Sequence, residues 1–296
     1  MAAEENTDVF VSIYVNPTQF GVTEDLSTYP RTWGTDIDAL AELDRELASK
    51  SGAGRITAVF APPTNVMYPT LPPTSEIDGV GSFVTITPLA SVLEGASRPV
   101  FFRGVATVCM KLFNIVQPER VYFGQKDVQQ TVVIRRMVQD FHLPIKVRIG
   151  PTMREPEGLA MSSRNVYLGQ RRRKVSIVLS QALRAAEEQY ANGKISRADV
   201  LWPATEVVDK MLMEQDDMSP SKRARFEVDY LSLADPDSLE ELKEIDDSRG
   251  AILSGAIKML PVEDPQIGED CGLGGGVGPV RLIDNIILQP RSGKRT

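Results

Sequence analysis

The sequence predicts an α/β protein, with a parallel sheet in its first half and a smaller α+β unit after it. Three observations lead there. β-rich apolar runs recur at residues 9–15 (VFVSIYV), 56–61, 120–123 and 145–149; segments with helical spacing of apolar residues separate them; and this rhythm breaks down after Arg164. Strands that alternate with helices at such intervals fold as a parallel sheet covered by its crossover helices. The division falls near Pro151, giving residues 1–151 and 152–296 as the two domains.

Residues 9–15 are almost wholly apolar, the pattern of a strand buried on both faces. Asn16, Pro17 and Gly21 then form a loop. Residues 36–50 (DIDALAELDRELASK) read as an amphipathic helix. Residues 56–61 are a second buried-type strand, closed by Pro62 and Pro63, and a proline-rich loop runs to Pro73. Residues 104–116 read as a mostly buried helix stopped by Pro118, 120–123 as a short strand ending at Gly124, 129–141 as an amphipathic helix and 145–149 as a strand. Beyond the division, 171–192 and 201–214 read as helices, and 228–232 and 281–288 as strands. The run CGLGGGVGP, ending at Pro279, reads as a flexible hairpin loop. The basic run Arg171 to Lys174 reads as a solvated helix face.

The 296 residues are 42% hydrophobic and 25% charged, enough for a sizeable core. A net charge of −7 argues against a nucleic-acid partner. Two cysteines, Cys109 and Cys271, make no disulfide framework and fit a reducing compartment. The opening MAAEENTD lacks the apolar stretch of a secretory signal, and no apolar run approaches the ~20 residues of a membrane helix. The expectation is a soluble cytoplasmic protein.

Three polar segments leave expected strands at the carboxyl edge, where open α/β sheets bind ligands. In VNPTQFG, Asn16 and Gln19 present two amides from a turn stiffened by Pro17, although ordinary turn chemistry would use the same residues. In YFGQKD, Gly124 permits close backbone approach, Lys126 offers an ammonium to a phosphate, and Asp127 either binds hydroxyls or caps the next helix. In REPEGLAMSSRN, Ser162, Ser163 and Arg164 form a hydroxyl and guanidinium cluster able to clamp a polyphosphate or simply to begin a helix. Glu94, Arg98 and Arg103 flank an aromatic pair, as an anion site or an ion pair.

Taken in order, VNPTQFG with EDLSTYPRT, FAPPTNVMYP, LEGASRP, FRGVATVCMKLFNIVQPERVYFGQKDVQQ, IRRMV, GLAMSSRNVYL and VDYLSLADPDSLEEL resemble the pantoate–β-alanine ligase (pantothenate synthetase) family. The resemblance implies a Rossmann-like nucleotidyltransferase domain with a small C-terminal lid domain. It implies ATP-dependent condensation of pantoate with β-alanine through pantoyl adenylate, with Mg2+. Gln19 and Gln130 would hold pantoate, with Asn16 in the same cleft. Gly124 and Asp127 would hold the nucleotide's ribose, with Gln125 between them in the nucleotide site, and Lys126, Ser162, Ser163 and Arg164 its phosphates, Lys126 and Arg164 acting catalytically. Met153 and Met161 would line the nucleotide pocket, Asp36 is a weaker candidate for magnesium, and a homodimer is implied.

The resemblance also has departures. The chain opens inside what resembles the family's first helix, so the family's N-terminal strand and His-x-Gly-His motif have no counterpart. His142, in FHLP, is the single histidine and reads as a loop residue. Val100 and Phe101 stand where the family has Gly-His, and Gln125 where it has glutamate. The resemblance therefore implies weak turnover at best. A second reading is a non-catalytic pantoate- or nucleotide-binding paralogue, or a partner subunit.

Overall fold

The computed structural model describes residues 1–21, 26, 27 and 29–291. Of the segment EDLSTYPRT, Glu24, Asp25 and Thr28 lie outside the described residues. The chain divides into two compact units. One comprises Met1–Phe123 with Gln129–Gly150; the other comprises Gly124–Val128 with the chain from Pro151 onward.

The first unit runs α1 (Ala2–Glu5), β1 (Asp8–Ser12), α2 (Trp33–Ala48), β2 (Arg55–Phe60), α3 (Thr64–Met67), α4 (Glu94–Ser97), α5 (Phe101–Val116), β3 (Arg120–Gly124), α6 (Val128–Asp140) and β4 (Lys146–Gly150). β1 and β2 pair in parallel across the α2 crossover, as a βαβ unit requires. Asp44 of α2 accepts two hydrogen bonds from the Arg55 guanidinium, at 2.8 and 2.5 Å, and one from the Ile56 N–H. These bonds lower its carboxyl to about 2 and fix the helix to the start of β2.

The α/β class stands, but the strands are not one sheet. Among the described residues, β1 pairs with β2 and β3 with β4, as two separate ribbons. Side chains from the first turn of the chain reach β3 and β4: Tyr122 donates to Glu5, Arg120 to Asn6, Asn6 to the Tyr122 hydroxyl, and Arg148 to Glu5, all within 2.9 Å. The expectation that residues 9–15 are buried on both faces is wrong. β1 alternates exposed and half-buried positions, and Phe10 is 54% exposed. β2 likewise has no fully buried residue. A strand that pairs along one edge, with helix cover over part of its surface, leaves such rings in solvent. The buried apolar face belongs instead to α5 (Phe102, Val105, Ala106, Val108, Cys109, Phe113) and α6 (Val132, Val133, Ile134, Met137). Burial pushes the Cys109 thiol up to about 12.

The second unit contains α7 (Gly169–Ser176), α8 (Val178–Ala191), α9 (Arg197–Asp216), β5 (Phe226–Ala234), β6 (Ala251–Met259) and β7 (Val280–Leu288). The three strands form an antiparallel sheet with β6 in the middle. Its core joins Leu179, Leu183 and Val200 of the helices to Leu233, Leu253, Ile257 and Leu282 of the sheet. Each such side chain, fully buried, contributes about 1.5–3 kcal/mol. β6 carries no assignment in the sequence reading, because Ser254 and Gly255 interrupt its apolar run. The expected helix 171–192 is two helices, broken at Ile177. α9 starts earlier than expected, at a Ser196 cap whose hydroxyl accepts from the Asp199 N–H, and it absorbs Pro203.

The basic run is not a solvated face; of its four residues only Lys174 is exposed. Arg172 is buried and donates to the carbonyls of Leu168, Tyr167, Leu260, Cys271 and Gly278. Arg171 pairs with Glu269 and donates to the carbonyls of Pro220, Arg223 and Glu263. The farthest acceptors lie in the glycine-rich connection between β6 and β7. Gly169 and Gly272 make the approach possible. Both have positive φ, and a Cβ on either would stand 2.4 Å from backbone of the other segment. The hairpin loop is thus anchored along its length, with Leu273 N–H on the Val166 carbonyl and Val262 N–H on Gly276.

Arg172→Met leaves five carbonyls without this donor and should lower unfolding stability by about 3 kcal/mol or more; a urea-denaturation difference below about 1 kcal/mol would mean that other donors replace it. Hydrogen bonds from Arg171 hold the Glu269 carboxyl below its ordinary value of 4.5. Its contribution is therefore full above that value and is lost as pH falls through the depressed one. The stability difference between wild type and Glu269→Gln should be flat above about pH 5 and shrink below it.

Candidate active site

In the first unit the segment after β1 turns through a short 3-10 helix, Pro17–Gln19, capped by the Asn16 side chain. Asn16 is buried, and every polar atom of its amide is used. Its Nδ2 donates to the Gln19 Oε1 at 3.0 Å and to the Gly104 carbonyl at 3.2 Å; its Oδ1 accepts from the Tyr68 hydroxyl at 2.7 Å and from the Thr18 hydroxyl at 3.1 Å. Gln19 is half-buried, and because Asn16 occupies its carbonyl oxygen, its Nε2 hydrogens are presented as donors. The guanidinium of Arg98 donates to the Gln19 backbone carbonyl at 2.9 Å and lies 3.8 Å over the Phe101 ring. Phe101, at the start of α5, stacks edge-on against Phe102. Arg103 lies over Phe83 and donates to the carbonyls of Glu76 and Ile77.

α5 approaches this turn closely because residue 104 is glycine. A Cβ there would stand 2.4 Å from the Thr18 carbonyl oxygen. On α6, Gln129 is buried and donates to the Leu89 and Val92 carbonyls while accepting from the Glu94 N–H. Its neighbour Gln130 is half-buried. His142 lies in an exposed turn at φ 51°, and Asp36 accepts from the Thr32 hydroxyl on the first turn of α2.

In the second unit, Gly124 caps a 3-10 turn, Gln125–Asp127. Asn285 of β7 holds that turn. Its Nδ2 donates to the Gln125 carbonyl at 2.9 Å and the Lys126 carbonyl at 2.8 Å, and its Oδ1 accepts from the Gln125 side chain at 3.3 Å. Lys126 has Asp127 Oδ1 at 3.8 Å. A second segment, residues 153–161, folds back on itself through an Arg154–Ala160 bridge and the Met161 N–H on Met153. Arg154 makes a bidentate pair with Asp284 at 2.6 and 2.9 Å and also donates to the Gly158 carbonyl. The 3-10 turn Ser163–Tyr167 follows, capped by Ser162, whose hydroxyl accepts from the Arg164 N–H at 3.2 Å. Asn165 is buried and donates to Glu155 and to the Ala160 carbonyl. Hydrogen bonding to Arg173 lowers the Glu155 carboxyl. Met153 and Met161 flank the turn with exposed side chains.

Gln19, Asn16 and Gln130 therefore belong to the first unit, and Gly124, Gln125, Lys126, Asp127, Met153, Met161, Ser162, Ser163 and Arg164 to the second. The supporting residues Tyr68, Gly104, Gln129, Arg154, Asp284 and Asn285 received no role in the sequence reading. One signal was present: in VRLIDNIIL, Asp284 and Asn285 interrupt an otherwise apolar strand, and buried polar groups need partners.

The pantoate–β-alanine ligase family model matches residues 1–287. The chain belongs to the pantoate–β-alanine ligase family. Pantothenate synthetase from Roseiflexus sp. strain RS-1 is 43% identical over 288 residues, covering 97% of this chain and 85% of that relative. Pantoate–β-alanine ligase from Saccharomyces cerevisiae is 37% identical over 294 residues, with the same coverage. The crystal structure of pantothenate synthetase from Thermus thermophilus superposes with a TM-score of 0.72 at 36% identity, over 97% of this chain and 85% of that one. The Francisella tularensis ligase, solved with β-γ ATP and β-alanine, superposes with a TM-score of 0.62 at 28% identity, over 96% and 80%. The fold is accordingly that of the ligase family, a Rossmann-like nucleotidyltransferase domain followed by a C-terminal domain, and the chain is a ligase by family.

For this ligase-family chain the close approach at Gly104 has a measurable cost. Gly104→Ala should lower stability by about 1–3 kcal/mol through overpacking against Thr18 and should displace the Asn16–Gln19 turn. Thermal unfolding and the exchange rates of the turn amides would both register it. An unchanged melting temperature would show that α5 yields without cost.

Proposed function

We propose that this chain joins pantoate to β-alanine at the expense of ATP. Pantoate's carboxylate attacks the α-phosphorus and expels pyrophosphate, giving pantoyl adenylate; the β-alanine amine then attacks the acyl carbon and AMP leaves. A carboxylate is already a nucleophile, so the first step needs alignment and charge neutralisation more than a base. The observation that carries this reading is the preset amide of Gln19: buried Asn16 occupies its acceptor, so its N–H groups remain to grip a small hydroxy acid. Gln130 is the second amide for the acid. Gly124 and Asp127 take the ribose, with Gln125 between them, and Lys126, Ser162, Ser163 and Arg164 take the phosphates, with Met153 and Met161 against the base.

Among the described residues no three His, Cys, Asp or Glu side chains gather into a group able to hold a metal ion. Mg2+ is therefore assigned to the nucleotide, since this ion is commonly carried by phosphates and water with one or two carboxylates at most. Family resemblance alone supports the homodimer. No helix among the described residues is long and apolar enough to cross a membrane.

Phe101 favours a second reading, a non-catalytic binder, because its ring packs under Arg98 where the family's histidine would donate. One assay separates the two: AMP release by the 296-residue chain that depends on both pantoate and β-alanine. The expected rate is ~10²-fold or more below that of the Phe101→His variant, the usual effect of losing one transition-state donor. Gln130→Ala should raise the KM for pantoate ~10-fold or more, as loss of a hydrogen bond to a charged group would, and Lys126→Met should lower kcat by ~10²–10³. Pantoate binding without AMP release would favour the binder, and binding of neither pantoate nor ATP would overturn both readings.

A further inference from the structure

We propose that Asp284 and Asn285, adjacent on β7, are positioning residues that hold both nucleotide-facing segments of the second unit in register. The proposal rests on the ligase reading above and assigns a function to a dipeptide outside every ligand-facing segment. Both side chains are almost fully buried, at 4% and 2% exposure, in a strand that is otherwise mainly apolar. Burial of an acid and an amide there is costly unless each is fully bonded, and each is bonded to a different segment.

Asn285 spends both N–H bonds on successive carbonyls, those of Gln125 and Lys126, and its oxygen accepts from the Gln125 side chain. Two successive carbonyls held by one amide fix the peptide planes on either side of Lys126, and with them the direction in which its stem leaves the backbone. Asp284 grips Arg154 through both oxygens, and one of these also accepts from the Asn285 N–H. Arg154 in turn donates to the Gly158 carbonyl, closing the fold-back whose end sets the origin of Ser162, Ser163 and Arg164. The lysine turn and the serine–arginine turn are thus referenced to neighbouring residues of one strand, and β7 is itself paired along its length with β6. Adenylyl transfer demands this: displacement of a positioned group by about 1 Å can reduce rate ~10²-fold.

The test uses the full chain and measures the Kd for ATP and for pantoate by calorimetry, with thermal unfolding, for wild type, Asn285→Asp, Asp284→Asn, Lys126→Ala and the Lys126→Ala/Asn285→Asp double variant. Asn285→Asp is nearly isosteric but sets a carboxylate against two carbonyl oxygens. ATP affinity should fall at least tenfold in Asn285→Asp and in Asp284→Asn, and pantoate affinity should stay within twofold. In the Lys126→Ala background, Asn285→Asp should weaken ATP by a smaller factor than it does in wild type, because the part of its effect that runs through the lysine is already lost and only the part through Gln125 remains. If the single variants lose melting temperature but bind ATP as wild type does, or if the double variant shows the full additive loss, the positioning role is overturned. If Asn285→Asp does not fold, Asp284→Asn decides by the same ATP-against-pantoate split, and if neither folds the proposal fails in favour of a purely structural role. Wild type that binds neither ligand would instead refute the ligase reading.

Discussion

Buried carboxamides hold the loops of this chain. Asn16, Gln129, Asn165 and Asn285 are each almost wholly removed from solvent, and each donates to a backbone carbonyl of a neighbouring segment. The reason lies in backbone accounting. A loop that packs inward must satisfy its N–H and C=O groups without a ladder, and an amide side chain supplies two donors and an acceptor from one compact group. Where strands are short and the candidate site segments are turns, these amides take over the work that sheet hydrogen bonding performs elsewhere.

Charged side chains carry the same logic further in the second unit. Arg172 neutralises five carbonyl dipoles, Arg171 pairs with Glu269, and Arg154 pairs with Asp284. Such groups add less net stability than their number suggests, because desolvation offsets the Coulomb attraction. Their value is geometric. A guanidinium bonded in its own plane admits few arrangements of the backbone around it, so the connection between β6 and β7 follows one path although glycine would permit many.

The sequence disclosed what is local. Strand-and-helix alternation, the proline- and glycine-marked turns and the ordered motifs all depend on neighbours within a few residues, and they led to the right fold class and family. What depends on distant partners was hidden. The run RRRK looks solvated in isolation because many of its acceptors lie far along the chain, as the Gly278 carbonyl does for Arg172. β6 was obscured by Ser254 and Gly255, small residues of which the glycine fits beneath Leu179 and Leu231. Strand β1 looked doubly covered from its composition, yet Phe10 faces solvent, since hydrophobicity alone does not say how many faces are packed. Asn16 was legible as a turn residue but not as the group that orients Gln19, because Tyr68 and Gly104 complete its bonding from elsewhere.

The placement of the two thiols has a chemical corollary. Cys109 lies inside the α5 face with its ionisation driven to about 12, so at neutral pH almost no thiolate exists there to meet an alkylating or oxidising reagent. Cys271 is half-exposed on the glycine-rich connection. A single reporter dye should therefore attach within that loop without mutagenesis, and the chain's own cysteines already distinguish its two units.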